Sequence, residues 1–319
     1  MFGCADLHRA SFELQVSLRA SDMDSDMEVQ MAQKKGFLAA LDQSGGSTPS
    51  ALRAYGITDA DYSGDDEMFR LIQEMRVRIM TAPAFHGNKI IAAILFEATM
   101  NGKVRGKPIP TFLWEDRGIV PFLKVDKGLE VEKDGVSLMK PIPGLDDTLE
   151  RAVRLGIFGT KMRSTIHLAS RSGIAAVVVQ QCEIAAQIAA KGLLPILEPE
   201  ILIGSPDKAG AEQLLLEELL RAVDGLPGDR RLMIKVTLPE TPNHYEPLVK
   251  HERVMRVVAL SGGYSRDEAC QRLALNDGVI ASFSRALIGD LRRDMNEVTF
   301  DTALAEAIDQ IFRASTNKW

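Results

Sequence analysis

Charged side chains recur at one kind of place in this chain, the polar end of a short apolar run. Such ends carry Asp42, Glu97, Lys124, Lys161 with Arg163, Glu198 with Glu200, Lys235, and Ser282 with Arg285, and one ends in Ser261-Gly262-Gly263. Lys235 lies inside Leu232-Met233-Ile234-Lys235-Val236-Thr237-Leu238. If that stretch is a strand, alternation turns Lys235 away from Ile234 and Val236. A lysine among aliphatics is buried, paired or at the mouth of a cavity. Desolvation and neighbouring cations, here Lys124 and Lys161, favour the neutral amine, which is the form that attacks a carbonyl. The segment by itself equally allows a structural lysine salt-bridged to a carboxylate such as Glu198. Three lysines on three strand ends favour chemistry, because their mutual repulsion calls for a functional reason.

In Glu198-Pro199-Glu200 two carboxylates separated by one residue project to the same side of a strand, or fan out where the proline ends it. Facing lysines, one could shuttle protons while the other anchors a lysine. Asp42 precedes Gln43-Ser44-Gly45-Gly46-Ser47-Thr48. It reads either as a turn residue and helix cap or as a partner for a substrate hydroxyl. The stretches LSGGYS (260–265) and SFSRAL (282–287) follow the last two apolar runs, with glycines that admit an anion and Arg285 to clamp it. The Gly45-Gly46-Ser47-Thr48 loop could cradle a second anion. The five histidines, His8, His86, His167, His244 and His251, form no HxH or HExxH pattern, so no metal site is expected. His244 and His251 are expected at the surface.

The elements that must position these groups follow from the rhythm of the chain. Short apolar runs begin at Phe37, Lys89, Val120, Ile157, Leu193, Arg231, Val254 and Val279. Between them lie helical patterns such as DDEMFRLIQEMRVRIM, IAAVVVQQCEIAAQIAAKG, AEQLLLEELLRAVDG and RDEACQRLAL. Apolar strands alternating with helices predict a parallel sheet covered on both faces. Eight such runs point to an α/β fold, a single-domain (β/α)₈ TIM barrel over 34–319, with its active site at the strand C-termini. An open doubly wound sheet is the alternative; no GxGxxG follows the first run to favour it. Residues 1–33 read as an N-terminal extension, partly disordered.

With 38 Lys and Arg against 44 Asp and Glu, the net charge is −6. This balance argues against a nucleic-acid partner and leaves room for a small anionic substrate. Cys4, Cys182 and Cys270 are sparse and far apart, as free thiols in a reducing compartment would be. No apolar run is long enough for a membrane span and the first thirty residues lack a secretory core, so a cytoplasmic protein is expected. The sequence leaves open whether the chain forms a homo-oligomer.

LDQSGGST, LFEATM, PFLKVDKG, FGTKMR, LPILEPE, IKVTLP, VVALSGGYS and ASFSRAL, in that order, resemble class I fructose-bisphosphate aldolase in its shorter bacterial form, from about Lys34 onward. The resemblance implies a metal-independent lyase that uses no cofactor and splits a phosphorylated sugar through a Schiff base on Lys235. It makes Glu198 the carboxylate that handles protons in carbinolamine formation and dehydration. Asp42 is then the aspartate near the C4 hydroxyl, and Lys161 the lysine supporting C3–C4 cleavage. Glu200 resembles the second acid of the EPE motif, and Lys124 the lysine of KVDKG. Ser261, Gly262 and Arg285 match the site for one phosphate. Ser44 and Ser47 correspond to hydroxyls near the other, with Arg163 on the phosphate side. The chain departs from the animal pattern at Met162, where a tryptophan is usual. It also ends at Asn317-Lys318-Trp319 rather than at a tyrosine, which leaves the group that protonates the enamine unassigned. Another phosphosugar barrel lyase or isomerase, or a non-catalytic binding protein on this fold, are the other readings.

Overall fold

Alternation of apolar side chains with period two makes each run two-faced, one row for the helices outside and one for the interior. In the computed structural model, which describes residues 25–44, 47–228 and 230–318, all eight runs are strands. They are Phe37–Leu41 (β1), Ile90–Leu95 (β2), Val120–Lys124 (β3), Gly159–Ile166 (β4), Leu194–Ile201 (β5), Leu232–Thr237 (β6), Val254–Leu260 (β7) and Ile280–Phe283 (β8). Each pairs in parallel with the next, β3 with β4 through Lys124 opposite Lys161, and β8 returns to β1 through Ser282 opposite Leu38. That closure makes the sheet a barrel and sets aside the open doubly wound alternative.

The helical patterns are helices on the outside: Gly64–Thr81, Arg171–Ala190, Lys208–Asp224 and Arg266–Ala274, with Leu145–Arg154 and Glu297–Thr316 completing much of the ring. Ser170, Asp207, Ser265 and Asn296 cap four of them, each side chain accepting from a backbone N–H in the first turn. Contrary to the sequence reading, Arg171–Ala190 is long and apolar enough to cross a membrane by length and composition. Its buried face, Ile174, Val177, Val178, Ala185 and Ile188, belongs instead to the layer between barrel and helices.

Residues 25–33, within the segment read as an extension, form a helix across the N-terminal end of the barrel. Its Met27 and Met31 join the interior cluster of Leu38, Ile94, Val120, Met233 and Val258. Gln30 donates to the carbonyls of Ile91 (2.8 Å) and Gly118 (2.9 Å), and Arg256 donates to those of Met31 and Lys34. Residues 1–24 lie outside the described residues.

The interior is packed so closely that one strand position admits no side chain. A Cβ on Gly159 would stand 2.3 Å from the Leu194 carbonyl oxygen and 2.4 Å from the Phe122 ring. Both neighbours are held, the first in backbone and the second in a T-shaped contact with Phe158. Gly159→Ala is therefore expected to destabilise the fold by about 1–3 kcal/mol, read as a lower urea midpoint at unchanged slope. An unshifted midpoint would show that this layer is not tightly packed.

Candidate active site

The inward rows change character along their length. On β6 the row is Met233, Lys235, Thr237; on β5 Ile196, Glu198, Glu200; on β3 Val120, Phe122, Lys124; on β1 Leu38 and Ala40, continued by Asp42. The lower members belong to the apolar interior cluster. Their outward neighbours Leu41, Leu123, Leu197, Ile234 and Val236 belong to the cluster under the helices. Near its C-terminal end each row turns from apolar to charged, so the barrel floor is dry and its mouth is ionic.

Above that floor lies a cavity of about 910 Å³. Lys235 Nζ stands 2.9 Å from Glu198 Oε1, and Lys161 Nζ lies 2.8 Å from Glu198 Oε2 and 2.7 Å from Asp42 Oδ2. Asp42, Lys161, Glu198 and Lys235 thus form one continuous ionic chain from β1 through β4 and β5 to β6, and each is at most 9 % exposed. Beside it Lys124 Nζ pairs with Asp126 Oδ1 at 2.7 Å, and Arg163 pairs with Glu200. The expected repulsion among lysines is offset carboxylate by carboxylate. Lys235 is salt-bridged to Glu198, as its structural reading required, and the pair faces the cavity, as its chemical reading required.

Burial opposes ionisation of Asp42, Glu198 and Lys161, and the opposite charges overcome it. Burial would raise the Asp42 carboxyl, yet Lys161 and Lys235 hold it well below the usual carboxylate range. Glu198 is lowered in the same way by Lys161 and Lys235. Burial alone would lower Lys161, but Asp42 and Glu198 raise it above the ordinary lysine value. Lys124 differs: burial wins and its ammonium is lowered, with Asp126 opposing. Six cations and four carboxylates line the cavity, an excess of two positive charges on a chain whose net charge is −6. Anionic substrates are favoured there.

The loops expected from sequence to hold an anion follow β7 and β8. Gly262 has φ +61°, and a Cβ there would meet Ile203 at 2.7 Å, so the turn requires glycine. Next to it Gly263 lies under the Arg285 guanidinium. Ser261, Gly262, Ser282 and Arg285 all line the cavity, as does Ser44. Ser47 opens the helix Ser47–Ala54; its side chain, with Gly45 and Gly46, is outside the described residues.

Two expectations change. Glu200 anchors Arg163 rather than a lysine, because Glu198 already takes both nearby ammonium groups. Glu97 turns to the rim, where Lys127 (2.6 Å) and Arg151 neutralise it. Three residues were missed. Asp126 continues the inward period of Phe122 and Lys124 by one step, a signal present in KVDKG. Gln43 donates to Ser284 Oγ at 2.6 Å and links the loops after β1 and β8. Arg76 is buried under Asp42, donating to the Gln43 carbonyl and to Thr99 Oγ1. Burial pushes its guanidinium down to about 10, with Asp42 opposing. Nothing in its helical stretch marks it out.

His244 and His251 are half-buried rather than exposed. His244 packs edge-on against Tyr245 and His251 Nε2 lies 3.1 Å from Asp224. Among the described residues no group of three or more His, Cys, Asp or Glu side chains could hold a metal ion.

Comparison with known proteins bears on the same arrangement. The solved fructose-bisphosphate aldolase of Plasmodium falciparum superposes with a TM-score of 0.73 at 20% identity, covering 94% of this chain and 96% of that one. A Corynebacterium glutamicum structure superposes at 0.52 with 15% identity, covering 96% and 97%. At these identities the likeness is one of fold. Sequence carries further: a Synechocystis protein named fructose-bisphosphate aldolase class 1 is 55% identical over 285 residues, which are 89% of this chain and 95% of that protein. Residues 25–239, which include Asp42, Lys161, Glu198 and Lys235, match the family model described as fructose-bisphosphate aldolase class-I. With a family match over most of the barrel and that degree of identity, the chain belongs to the class I fructose-bisphosphate aldolases.

Proposed function

We propose that this chain works in the cytoplasm, in glycolysis and its reversal, with Lys235 as the nucleophile. Its reaction is the reversible cleavage of fructose 1,6-bisphosphate to dihydroxyacetone phosphate and glyceraldehyde 3-phosphate. The observation that carries the assignment of roles is the buried ionic chain Lys235–Glu198–Lys161–Asp42. Glu198 lies 2.9 Å from the amine and can take its proton as the nitrogen adds to the C2 ketone. A second ammonium proton passes to the C2 oxygen, and Glu198 then returns the first to the resulting hydroxyl, giving water and an iminium. Asp42, paired with Lys161 at 2.7 Å, receives the proton of the C4 hydroxyl as the C3–C4 bond breaks. The electron pair of that bond moves to C3 and the iminium nitrogen, forming an enamine, and glyceraldehyde 3-phosphate departs. Protonation at C3 and addition of water release dihydroxyacetone phosphate. Ser261, Gly262 and Arg285 hold the phosphate beside C2. Lys124 and Arg163, with Ser44 and Ser47, serve the other.

Borohydride added with dihydroxyacetone phosphate is expected to fix the imine and leave a covalent mass increment on the peptide containing Lys235. Cleavage is expected to persist undiminished in EDTA. An adduct on Lys161 alone, or none, would overturn the assignment of the nucleophile.

A further inference from the structure

Arg76 is a buried cation that the reaction scheme leaves unused. It lies on the outer helix Gly64–Thr81 and is 1 % exposed, beside the apolar side chains Ile72, Met75, Ile79 and Met80 on the buried face of that helix. Among the described residues its hydrogen bonds go to neutral oxygens and not to a carboxylate. One nitrogen donates to Thr99 Oγ1 at 3.1 Å and another to the Gln43 carbonyl. The opposite charge that acts on it is that of Asp42. Burying a guanidinium with no carboxylate bonded to it is costly, and a charge kept there calls for a reason.

The reason lies in what Arg76 holds. The ladder between β1 and β2 ends at Leu41 opposite Leu95, so Asp42 and Gln43 lie past the last register position that could fix them. Arg76 grips the chain just there, at the carbonyl of the residue that follows Asp42. Its own aim is set by Thr99, which gives its hydroxyl hydrogen to Gln73 Oε1 at 2.6 Å and turns its oxygen to the guanidinium. The guanidinium also lies 5.5 Å from the centre of the Phe96 ring. Asp42, Gln43 and Phe96 line the reaction cavity and Arg76 does not, so it stands behind the wall that carries the proton acceptor. From the other side the Gln43 amide is tied to Ser284 Oγ at 2.6 Å. We propose that Arg76 is a positioning residue for proton transfer from the C4 hydroxyl, an inference that rests on the function proposed above. It touches no substrate atom. It fixes the backbone from which the Asp42 carboxylate reaches Lys161 and the substrate. The planar fork matters because separate N–H groups hold separate segments, the loop after β1 and the turn Glu97–Met100 after β2.

Borohydride trapping of dihydroxyacetone phosphate counts the enzyme molecules whose cavity is formed and whose Lys235 works, and that molecule has no C4. The test is the single-turnover rate of glyceraldehyde 3-phosphate formation from fructose 1,6-bisphosphate, expressed per trappable site. Arg76→Met is expected to lower it about 10- to 100-fold, the scale of a misplaced catalytic group. Arg76→Lys, which keeps the charge but loses the fork, is expected to lower it less. In an Asp42→Ala background Arg76→Met is expected to cost less than about threefold, since the group it positions is gone. A purely structural arginine would reduce the number of trappable sites and leave the rate at each unchanged. An unchanged rate per site in Arg76→Met, or an equal fold loss with and without Asp42, would overturn the proposal. Where the methionine variant fails to fold, the lysine variant carries the same cycle. A wild-type enzyme that traps no imine sinks the functional reading. One that traps it, with no coupling between Arg76 and Asp42, sinks only the present inference.

Discussion

Lys235→Met is expected to lower cleavage on the order of 10⁴- to 10⁶-fold, the scale seen when a covalent nucleophile is removed. It should abolish the borohydride adduct and leave the fold intact. The asymmetry follows from the partners. Glu198 loses one ammonium but keeps Lys161 at 2.8 Å, so no carboxylate is left alone in the interior. Methionine fills nearly the same volume in a row already lined below by Met233. Steady-state rates with a thermal melt check both halves. Activity within tenfold of the wild type would remove Lys235 from the chemistry, and a collapsed fold would mean that the ion pair is structural first.

Lys161→Met should behave in the opposite way, because Lys161 is the cation shared by Asp42 and Glu198. Its loss removes the only ammonium paired with Asp42 among the described residues and leaves Glu198 with Lys235 alone. Breaking such a buried arrangement costs about 3–5 kcal/mol, and the rate should fall roughly 10²- to 10⁴-fold with loss of proton handling at C4. The pH dependence reverses sign. In the wild type both carboxyls are held below their unfolded values, so their stabilisation is present above an unfolded value near 4 and is lost as pH falls through the depressed folded values. In the variant Asp42, left without its ion pair, rises above that unfolded value. Stability is then gained as pH falls through the raised folded value, and neutral solution becomes the less favourable condition. Urea midpoints between pH 4 and 8 decide the matter: these carboxyls give the wild type no slope there, and a variant that likewise gains no stability on acidification would show that Lys161 does not hold Asp42 ionised.

The barrel was legible because its signal is repeated eight times, and each aliphatic run that ends in a charged or polar group is a strand with that group near the mouth. Alternation also told correctly which face of β6 carries Lys235. Pairings were less legible, since they depend on which strands become neighbours. Which of Glu198 and Glu200 anchors a lysine stayed open, because sequence does not reveal that Lys161 and Lys235 converge on Glu198 across β4, β5 and β6. Asp126 was within reach, one step further along a period already recognised at Lys124. Arg76 was not, because its burial depends on how Gly64–Thr81 packs against the loop after β1. The helix at 25–33 was taken as part of an extension because nothing in a short amphipathic stretch announces a barrel floor two hundred residues away.

That helix carries a consequence in time. Its carbonyls are held by Arg256, 225 and 222 residues further along the chain. At synthesis rates of roughly 5–20 residues per second, Met31 leaves the ribosome about 10–45 s before the side chain that secures it. The first of the described elements is therefore among the last to dock. Through that interval the apolar faces of Met27 and Met31 and the first strand of an unclosed barrel are presented together. This apolar surface therefore stays uncovered on the nascent chain until its seventh strand has emerged.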